Sequence, residues 1–213
     1  MRPARGSLTA AAIAIACVWV PRVDLRGAVA GQSARVAAPA QSAQQAVTPA
    51  ELKSLVGRTV NGRVLSVTDG DTIRVRLDNG KMVVVRFQGI DTPEYREPFS
   101  TAARNATRVM MLDRIVALKG MDVDPYSRLV ARVIVPATAA SPAGAASPEV
   151  DASVELVSQG LACHFLRYSS DPVLAAAERT ARDRGRGFWA ADAPRPACVA
   201  ENAAYSSARG RTR

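Results

Sequence analysis

Two short acidic stretches stand on either side of a run of alternating apolar and basic residues. The first is an Asp-Gly-Asp-Thr stretch that contains Asp71, and the second is an Asp-Thr-Pro-Glu stretch that runs from Asp91 to Glu94, shortly after Arg86. Carboxylate oxygens are the ligands that hard divalent cations prefer, a further carboxylate can accept a proton from water, and arginine binds phosphate oxygens. These residue types favour metal-assisted attack of water on a phosphate ester.

The segment between the acidic stretches predicts a β-hairpin. Apolar residues and arginines alternate over residues 72–77, an Asp-Asn-Gly turn follows at residues 78–80, and residues 82–87 form the returning strand. Because a hairpin folds the chain back on itself, we expect Asp71 and Asp91 to lie close together. Each acidic stretch by itself also fits an ordinary turn or helix start, and it is their joint occurrence that favours a catalytic site.

The rest of the chain supplies further short elements. Hydrophobic periodicity and stop signals predict helices over residues 100–112 and 151–159 and a third helix from residue 172, and strands near residues 60–67, 114–119, 128–135 and 161–168. Five curled strands with intervening and trailing helices are typical of an α+β protein built on a five-stranded OB-fold-type β-barrel with flanking α-helices. An uncharged insertion at residues 136–148 predicts an exposed loop.

Five separated motifs carry a resemblance to a known family. In order and spacing they resemble the staphylococcal nuclease (thermonuclease) family over roughly residues 57–190. The motifs are Asp-Gly-Asp-Thr at 69–72, Val-Arg-Phe-Gln-Gly-Ile-Asp-Thr-Pro-Glu at 85–94, Asp-Pro-Tyr-Ser-Arg at 124–128, Gln-Gly-Leu-Ala at 159–162 and Gly-Phe-Trp at 187–189. The family has the same barrel fold.

The resemblance implies a complete catalytic set. Asp71, Asp91 and the backbone carbonyl of Thr92 would hold a divalent cation, and ligation by oxygen atoms alone favours Ca²⁺ over Mg²⁺. Glu94 would act as the general base. The guanidinium groups of Arg86 and Arg128 would bind the scissile phosphate. In the family this chemistry breaks the bond to the 5′ oxygen and leaves 3′-phosphates.

Two tyrosines are candidates for substrate contact. Tyr126 and Tyr168 fit sequence-tolerant stacking on nucleotide bases, or alternatively simple packing of the barrel. The sequence departs from the family pattern at Ser127, where a glycine is common, at Leu166, where the type member has a tyrosine, and after Glu94, where a lysine-rich loop is missing. These departures bear on substrate affinity more than on the chemical step.

The sequence therefore predicts a Ca²⁺-dependent nuclease that acts on DNA and RNA with little sugar specificity. The alternative is a non-catalytic OB-type module that binds nucleic acid or protein. A binding-only relative is expected to lose some of the acids and arginines of the site, and this chain retains them. We expect a monomer without a stable protein partner.

Composition fits a polyanionic partner without identifying it. The 213 residues carry a formal net charge of +9, and the isoelectric point is about 10.3. We divide the chain into a signal peptide or N-terminal anchor (1–30), a flexible linker (31–56), a nuclease-like domain (57–190) and a basic, loosely ordered tail (191–213).

Two features of the sequence bear on the cellular compartment in which the protein acts: its N-terminal segment and its cysteines. Two arginines precede an uncharged run at residues 8–20, which predicts export to a secreted or periplasmic location, with a membrane tether through residues 1–30 as the alternative. An oxidising compartment would favour a disulfide between Cys163 and Cys198, whereas a buried Cys163 with a free Cys198 is the other interpretation.

The single histidine, His164, is expected to have a structural or surface role.

Overall fold

The computed structural model describes residues 45–136 and 149–211. The signal segment, residues 31–44 of the expected linker and nearly all of the insertion lie outside these ranges. The α-helices and β-strands, in chain order, are α1 (Pro49–Ser54), β1 (Thr59–Val67), β2 (Thr72–Leu77), β3 (Met82–Phe87), β4 (Ile90–Asp91), α2 (Ser100–Met111), β5 (Ile115–Val123), β6 (Leu129–Val135), β7 (Val150–Asp151), α3 (Ala152–Ser158), β8 (Cys163–His164), α4 (Pro172–Asp183) and α5 (Ala197–Gly210), and a short 3₁₀ helix (Gly187–Trp189) lies between α4 and α5.

Five strands close into a mixed β-barrel. Antiparallel pairing runs from β3 through β2, β1 and β5 to β6, and a parallel pairing between β3 and β6 closes the barrel. The alternation of apolar and basic residues in the sequence decides which side chains of β2 face the barrel interior. Ile73 and Val75 are buried, while Arg74 and Arg76 are exposed. The predicted five-stranded OB-fold-type barrel with flanking helices is confirmed.

The interior of the barrel continues into the helices. Phe87, Leu118 and Leu129 are buried inside the barrel, in one core with Leu156 of α3 and Leu174 of α4. The side chains of Asp151 and Asp171 cap the N-termini of these two helices by accepting backbone N–H groups in their first turns. The helices predicted over residues 100–112 and 151–159 and from residue 172 are confirmed as α2, α3 and α4.

The strand predicted over residues 161–168 is shorter than expected. Only Cys163 and His164 pair, with Asp91 and Ile90 of β4 respectively. The chain then turns, because the N–H groups of Tyr168 and Ser169 both donate to the carbonyl of Phe165. β4 is itself only two residues long, so no partner strand remains for a longer pairing.

His164 has the expected structural role. It is buried, and its Nε2 lies 3.1 Å from Oγ of Ser169. Burial lowers the pKa of its imidazole, and the negative charges of Glu178 and Asp171 oppose that shift.

The structure differs from the expected linker in residues 49–54, which form α1. Thr48 and Glu51 make a reciprocal capping box, Pro49 occupies the first helical position, and Leu52 is buried against the barrel. Hydrogen bonds to Lys81 and Thr48 lower the pKa of Glu51 to about 2. This short helix is stabilised by its cap and by one buried leucine, which composition alone does not reveal.

The structure also differs from the expected loose tail, because residues 197–210 form α5. Cys198 and Asn202 are the buried residues of this helix, and a disulfide joins Cys198 to Cys163. Its remaining residues are mostly alanine, serine and polar residues, so its hydrophobic periodicity is weak. Covalent and polar contacts hold the helix in place.

In the described parts of the chain, no helix is long and apolar enough to cross a membrane.

Candidate active site

The first carboxylate of the site is held rigidly. Asp71 lies just before β2 and is 4% exposed. Its Oδ2 accepts hydrogen bonds from the backbone N–H of Thr92 at 3.0 Å and from the Thr92 hydroxyl at 2.9 Å, and its own N–H donates to Asp69. Thr92 directly follows Asp91, so these bonds connect the two acidic stretches. The structure brings Asp71, Asp91 and Thr92 together as the sequence predicts.

Arg86 lies between the two carboxylates. Thr72 and Arg86 are paired across β2 and β3, which places the arginine beside Asp71. Its Nη1 contacts Oδ2 of Asp71, and its Nη2 donates to Oδ1 of Asp91 at 2.7 Å. One guanidinium therefore pairs with two carboxylates, and the three groups together keep a net negative charge.

Burial perturbs both members of the Arg86–Asp91 pair. Desolvation lowers the pKa of Arg86, and the charge of Asp91 opposes this shift. Desolvation also raises the pKa of Asp91; Arg86 opposes that shift, while the charges of Glu201 and Glu94 add to it. An excess of partly buried negative charge is the condition that a bound cation relieves.

The available donors fit a hard divalent cation. Two carboxylates and a backbone carbonyl supply oxygen atoms only, which suits an ion that retains several waters. Within residues 45–136 and 149–211, no three histidine, cysteine, aspartate or glutamate side chains converge as a complete metal cage. Asp71 and Asp91 are the acids that the sequence assigns to a cation, and the structure brings both of them onto one guanidinium group.

Glu94 stands apart from this buried cluster. It is exposed, in the loop between β4 and α2, and its backbone N–H donates to Oε2 of Glu97 at 2.8 Å. No hydrogen bond or ion pair to the Glu94 carboxylate is found in the described part of the chain.

Arg128 approaches the site from the turn between β5 and β6. Its Nε donates to Oδ2 of Asp124 at 2.5 Å, while Oδ1 of Asp124 accepts the N–H groups of Tyr126 and Arg128. The intervening Ser127 has a left-handed φ of 58°. The glycine common at this position in the family thus corresponds to a backbone conformation that glycine adopts without strain.

A cleft of about 470 Å³ lies beside the two arginines, whereas Asp71, Asp91 and Glu94 are not among its lining residues. Arg86 and Arg128 both line it, and the charge of Arg128 contributes to the lowered pKa of Arg86. Tyr126 and Tyr168 line the same cleft and are 80% and 70% exposed. These exposures argue against packing inside the barrel and leave both rings accessible.

Sequence reasoning missed three residues that lie at or near the site. Asp124 orients Arg128, Phe165 lines the cleft in edge contact with Tyr168, and Glu201 acts on Asp91 from α5. Asp124 was detectable, since it stands four residues before Arg128 in a recognised motif. The position of Glu201 depends on a helix that the sequence does not predict.

A polyanion suits this cleft, because two guanidinium groups line it. The fold and the site together define a nuclease of the OB-barrel type.

Comparisons with known proteins agree with this class. Residues 84–191 match the family described as staphylococcal nuclease homologue. An "Uncharacterized endonuclease" of Escherichia coli is 28% identical over 137 residues, covering 64% of this chain and 82% of the relative. "Protein ParB" of Escherichia coli is 34% identical over 133 residues, covering 61% and 72%. "Endonuclease Htp3" of Saprolegnia parasitica is 31% identical over 161 residues, covering 63% and 72%. The chain belongs to the staphylococcal nuclease family and is a phosphodiester-hydrolysing enzyme.

Proposed function

We propose that this nuclease hydrolyses both DNA and RNA in a Ca²⁺-dependent reaction with little sugar specificity. The observation that carries the proposal is the convergence of Asp71 and Asp91 on Arg86 at a cleft that Arg128 also lines. Exposed tyrosines at the same cleft support sequence-tolerant stacking, since every base presents a π-face.

In this proposal Glu94 accepts a proton from the attacking water, whose oxygen forms the new bond to phosphorus. The bond to the 5′ oxygen breaks, and the departing oxygen becomes a hydroxyl by taking a proton from solvent. Arg86 and Arg128 contact the phosphate oxygens as negative charge accumulates there. Asp71, which is buried, and Asp91, which is partly buried, hold Arg86 in place.

Asp71, Asp91 and the Thr92 carbonyl would hold the cation, which when bound neutralises phosphate charge and makes a nearby water more acidic. Ca²⁺ is favoured over Mg²⁺ because the donor geometry is set by a loop and two strand ends, and Ca²⁺ tolerates irregular oxygen coordination. The preference for Ca²⁺ therefore rests on the type and arrangement of these oxygen ligands.

Digestion of plasmid DNA and of a structured RNA tests the proposal. The purified protein is incubated with Ca²⁺, with Mg²⁺ or with excess chelator, and products are resolved by size and by end group. We expect cleavage of both polymers with Ca²⁺, 3′-phosphate ends, and loss of activity in chelator and in Asp71→Asn. Asp78→Asn, in the exposed β2–β3 turn, is the matched control. Undiminished cleavage in chelator contradicts the metal role, and binding without cleavage favours a non-catalytic module.

We also propose that the protein acts outside the cytoplasm as a monomer, in secreted or periplasmic form. The disulfide between Cys163 and Cys198 supports an oxidising compartment. Fractionation of producing cells, N-terminal sequencing of the recovered protein and light scattering test the location, the fate of residues 1–30 and the oligomeric state. Recovery in a membrane fraction with residue 1 intact would instead favour the tethered form.

A further inference from the structure

The loop that contains Glu94, the proposed general base, has a backbone conformation that its residue types do not favour. Between β4 and α2, Arg96 and Phe99 have left-handed φ values of 74° and 68°. Non-glycine residues in this region are strained, so neighbouring structure must hold the loop. Phe99 also precedes α2 without any side-chain cap.

Glu97 connects this loop to the C-terminal helix. One carboxylate oxygen, Oε2, accepts the backbone N–H of Glu94 at 2.8 Å, and the other, Oε1, accepts the N–H of Ala197 at 3.3 Å. Ala197 is the first residue of α5, whose N-cap Pro196 offers no side-chain hydrogen bond. Glu97 therefore supplies from a distant loop the negative cap that this helix end requires.

The next residue of α5 fixes the helix to the strand of the metal centre. Cys198 is bonded to Cys163, and Cys163 pairs directly with Asp91 across β4 and β8. Phe99 packs against the same small cluster and lies edge-on to Phe188, with 6.1 Å between ring centroids. One cluster thus anchors both the loop of Glu94 and the strand of Asp91.

A second turn of α5 reaches the wall of the cleft. Asn202 is buried, its Nδ2 donates to the carbonyl of His164 at 2.8 Å, and its Oδ1 accepts the N–H of Leu166 at 3.2 Å. These two bonds fix the backbone on both sides of Phe165, which lines the cleft. The whole of α5 lies outside residues 84–191, the part that matches the family.

We propose that α5 is an accessory part of the active site, and that Glu97 is a positioning residue that holds the Glu94 loop against it. This inference rests on the proposed role of Glu94. Glu97 contacts neither substrate nor metal in this scheme; it acts through the backbone of Glu94. Because a displacement of about 1 Å can cost about 10²-fold in rate, loss of this connection should reduce turnover without removing any catalytic group.

Kinetics of Glu97→Ala, Glu97→Gln and the control Asp192→Ala in the full chain test the proposal. We expect kcat to fall about 10- to 100-fold in Glu97→Ala with KM within about twofold of the parent, since the cleft arginines and tyrosines are untouched. Glu97→Gln keeps one acceptor oxygen and should recover part of the loss. Asp192 is exposed and its removal should leave kcat unchanged.

Amide hydrogen exchange provides a readout that does not depend on activity. Residues 92–99 and the first turn of α5 should exchange faster in Glu97→Ala than in the parent, while exchange in the barrel strands stays the same. If the parent shows no chelator-sensitive cleavage, the proposed function fails, and the exchange data still test the connection. Parent-like kcat in Glu97→Ala, or parent-like exchange in residues 92–99, overturns the inference.

Discussion

At the scale of single residues, Glu94 is the group on which the proposed chemistry depends most directly. It is exposed, and its backbone is tied to Glu97. Replacing Glu94 by Gln keeps the size of the side chain and removes its basicity. We expect kcat to fall by about 10²–10⁴-fold, the range that general-base catalysis supplies, with thermal stability unchanged. Steady-state kinetics with Ca²⁺ measures the effect.

Glu149→Gln, an exposed acid after the insertion, is the control for loss of one negative charge. Near-parental turnover in Glu94→Gln would mean that another group activates the water.

The two cleft arginines should not tolerate lysine. An ammonium group cannot reproduce the planar two-point contact of a guanidinium with phosphate, so Arg86→Lys and Arg128→Lys should each lower kcat/KM by about 10²–10³-fold. Arg86→Lys should also lower the unfolding temperature, because Arg86 pairs with two partly or fully buried carboxylates. Arg74→Lys, on the exposed side of β2, is the matched control. Full activity of either lysine variant would show that the arginine at that position contributes only its positive charge and not a two-point contact with phosphate.

Asp91 should make the metal-free protein less stable at neutral pH. Its pKa is raised in the folded state by burial, so the folded protein favours the protonated form and ionisation costs folding free energy. We expect Asp91→Asn to increase the free energy of unfolding at pH 7 in chelator, and the gain to shrink as the pH falls toward the ordinary carboxyl value of 3.8. Urea unfolding at several pH values measures it.

The same variant should lose activity, which is the usual conflict between function and stability at a charged site. A gain that grows on acidification would show that the ion pair with Arg86 outweighs the burial of Asp91.

At the scale of elements, the turn between β5 and β6 is strained at one position. Ser127 has φ of 58°, which costs a non-glycine residue about 1–2 kcal/mol, whereas glycine loses about 0.5–1 kcal/mol through its greater freedom in the unfolded chain. Ser127→Gly should therefore raise the free energy of unfolding by about 0.5–1 kcal/mol while Arg128 stays in place. Urea denaturation measures the change.

Ser170→Gly is the control, because Ser170 is an exposed serine outside the left-handed region. That substitution should destabilise slightly. Equal effects at both positions would contradict the account of strain at Ser127.

At the scale of the whole molecule, the disulfide between Cys163 and Cys198 joins α5 to the barrel. The two cysteines are 35 residues apart, and closing a loop of this length stabilises by about 3–4 kcal/mol in the chain-entropy model. The Cys163→Ala/Cys198→Ala double variant should lose about this much in urea unfolding. Reductant should destabilise the parent and leave the double variant unchanged.

Intact-mass measurement after alkylation of the denatured, unreduced protein tests the bond directly. Two alkylated thiols in protein that lacks residues 1–30, and hence Cys17, would show that the bond does not form.

The sequence by itself determined the features that depend on near neighbours in the chain. Alternation over β2 and β3 predicted the hairpin, and Asp151 and Asp171 indicated where two helices begin. The acidic and arginine motifs supplied the residues of the candidate site. These signals are local, because strand alternation, caps and turns are properties of a few consecutive residues.

Only the tertiary structure decided which distant groups meet. That Arg86 bridges Asp71 and Asp91 follows from strand pairing combined with burial, and that β8 ends at His164 follows from the shortness of β4. Helix α5 was missed because its sequence has little amphipathic pattern; a disulfide, Asn202 and the distant Glu97 hold it instead. Contacts between residues 35 to 100 positions apart produce no periodic pattern in the sequence. The partners in such contacts are therefore known only from the folded structure.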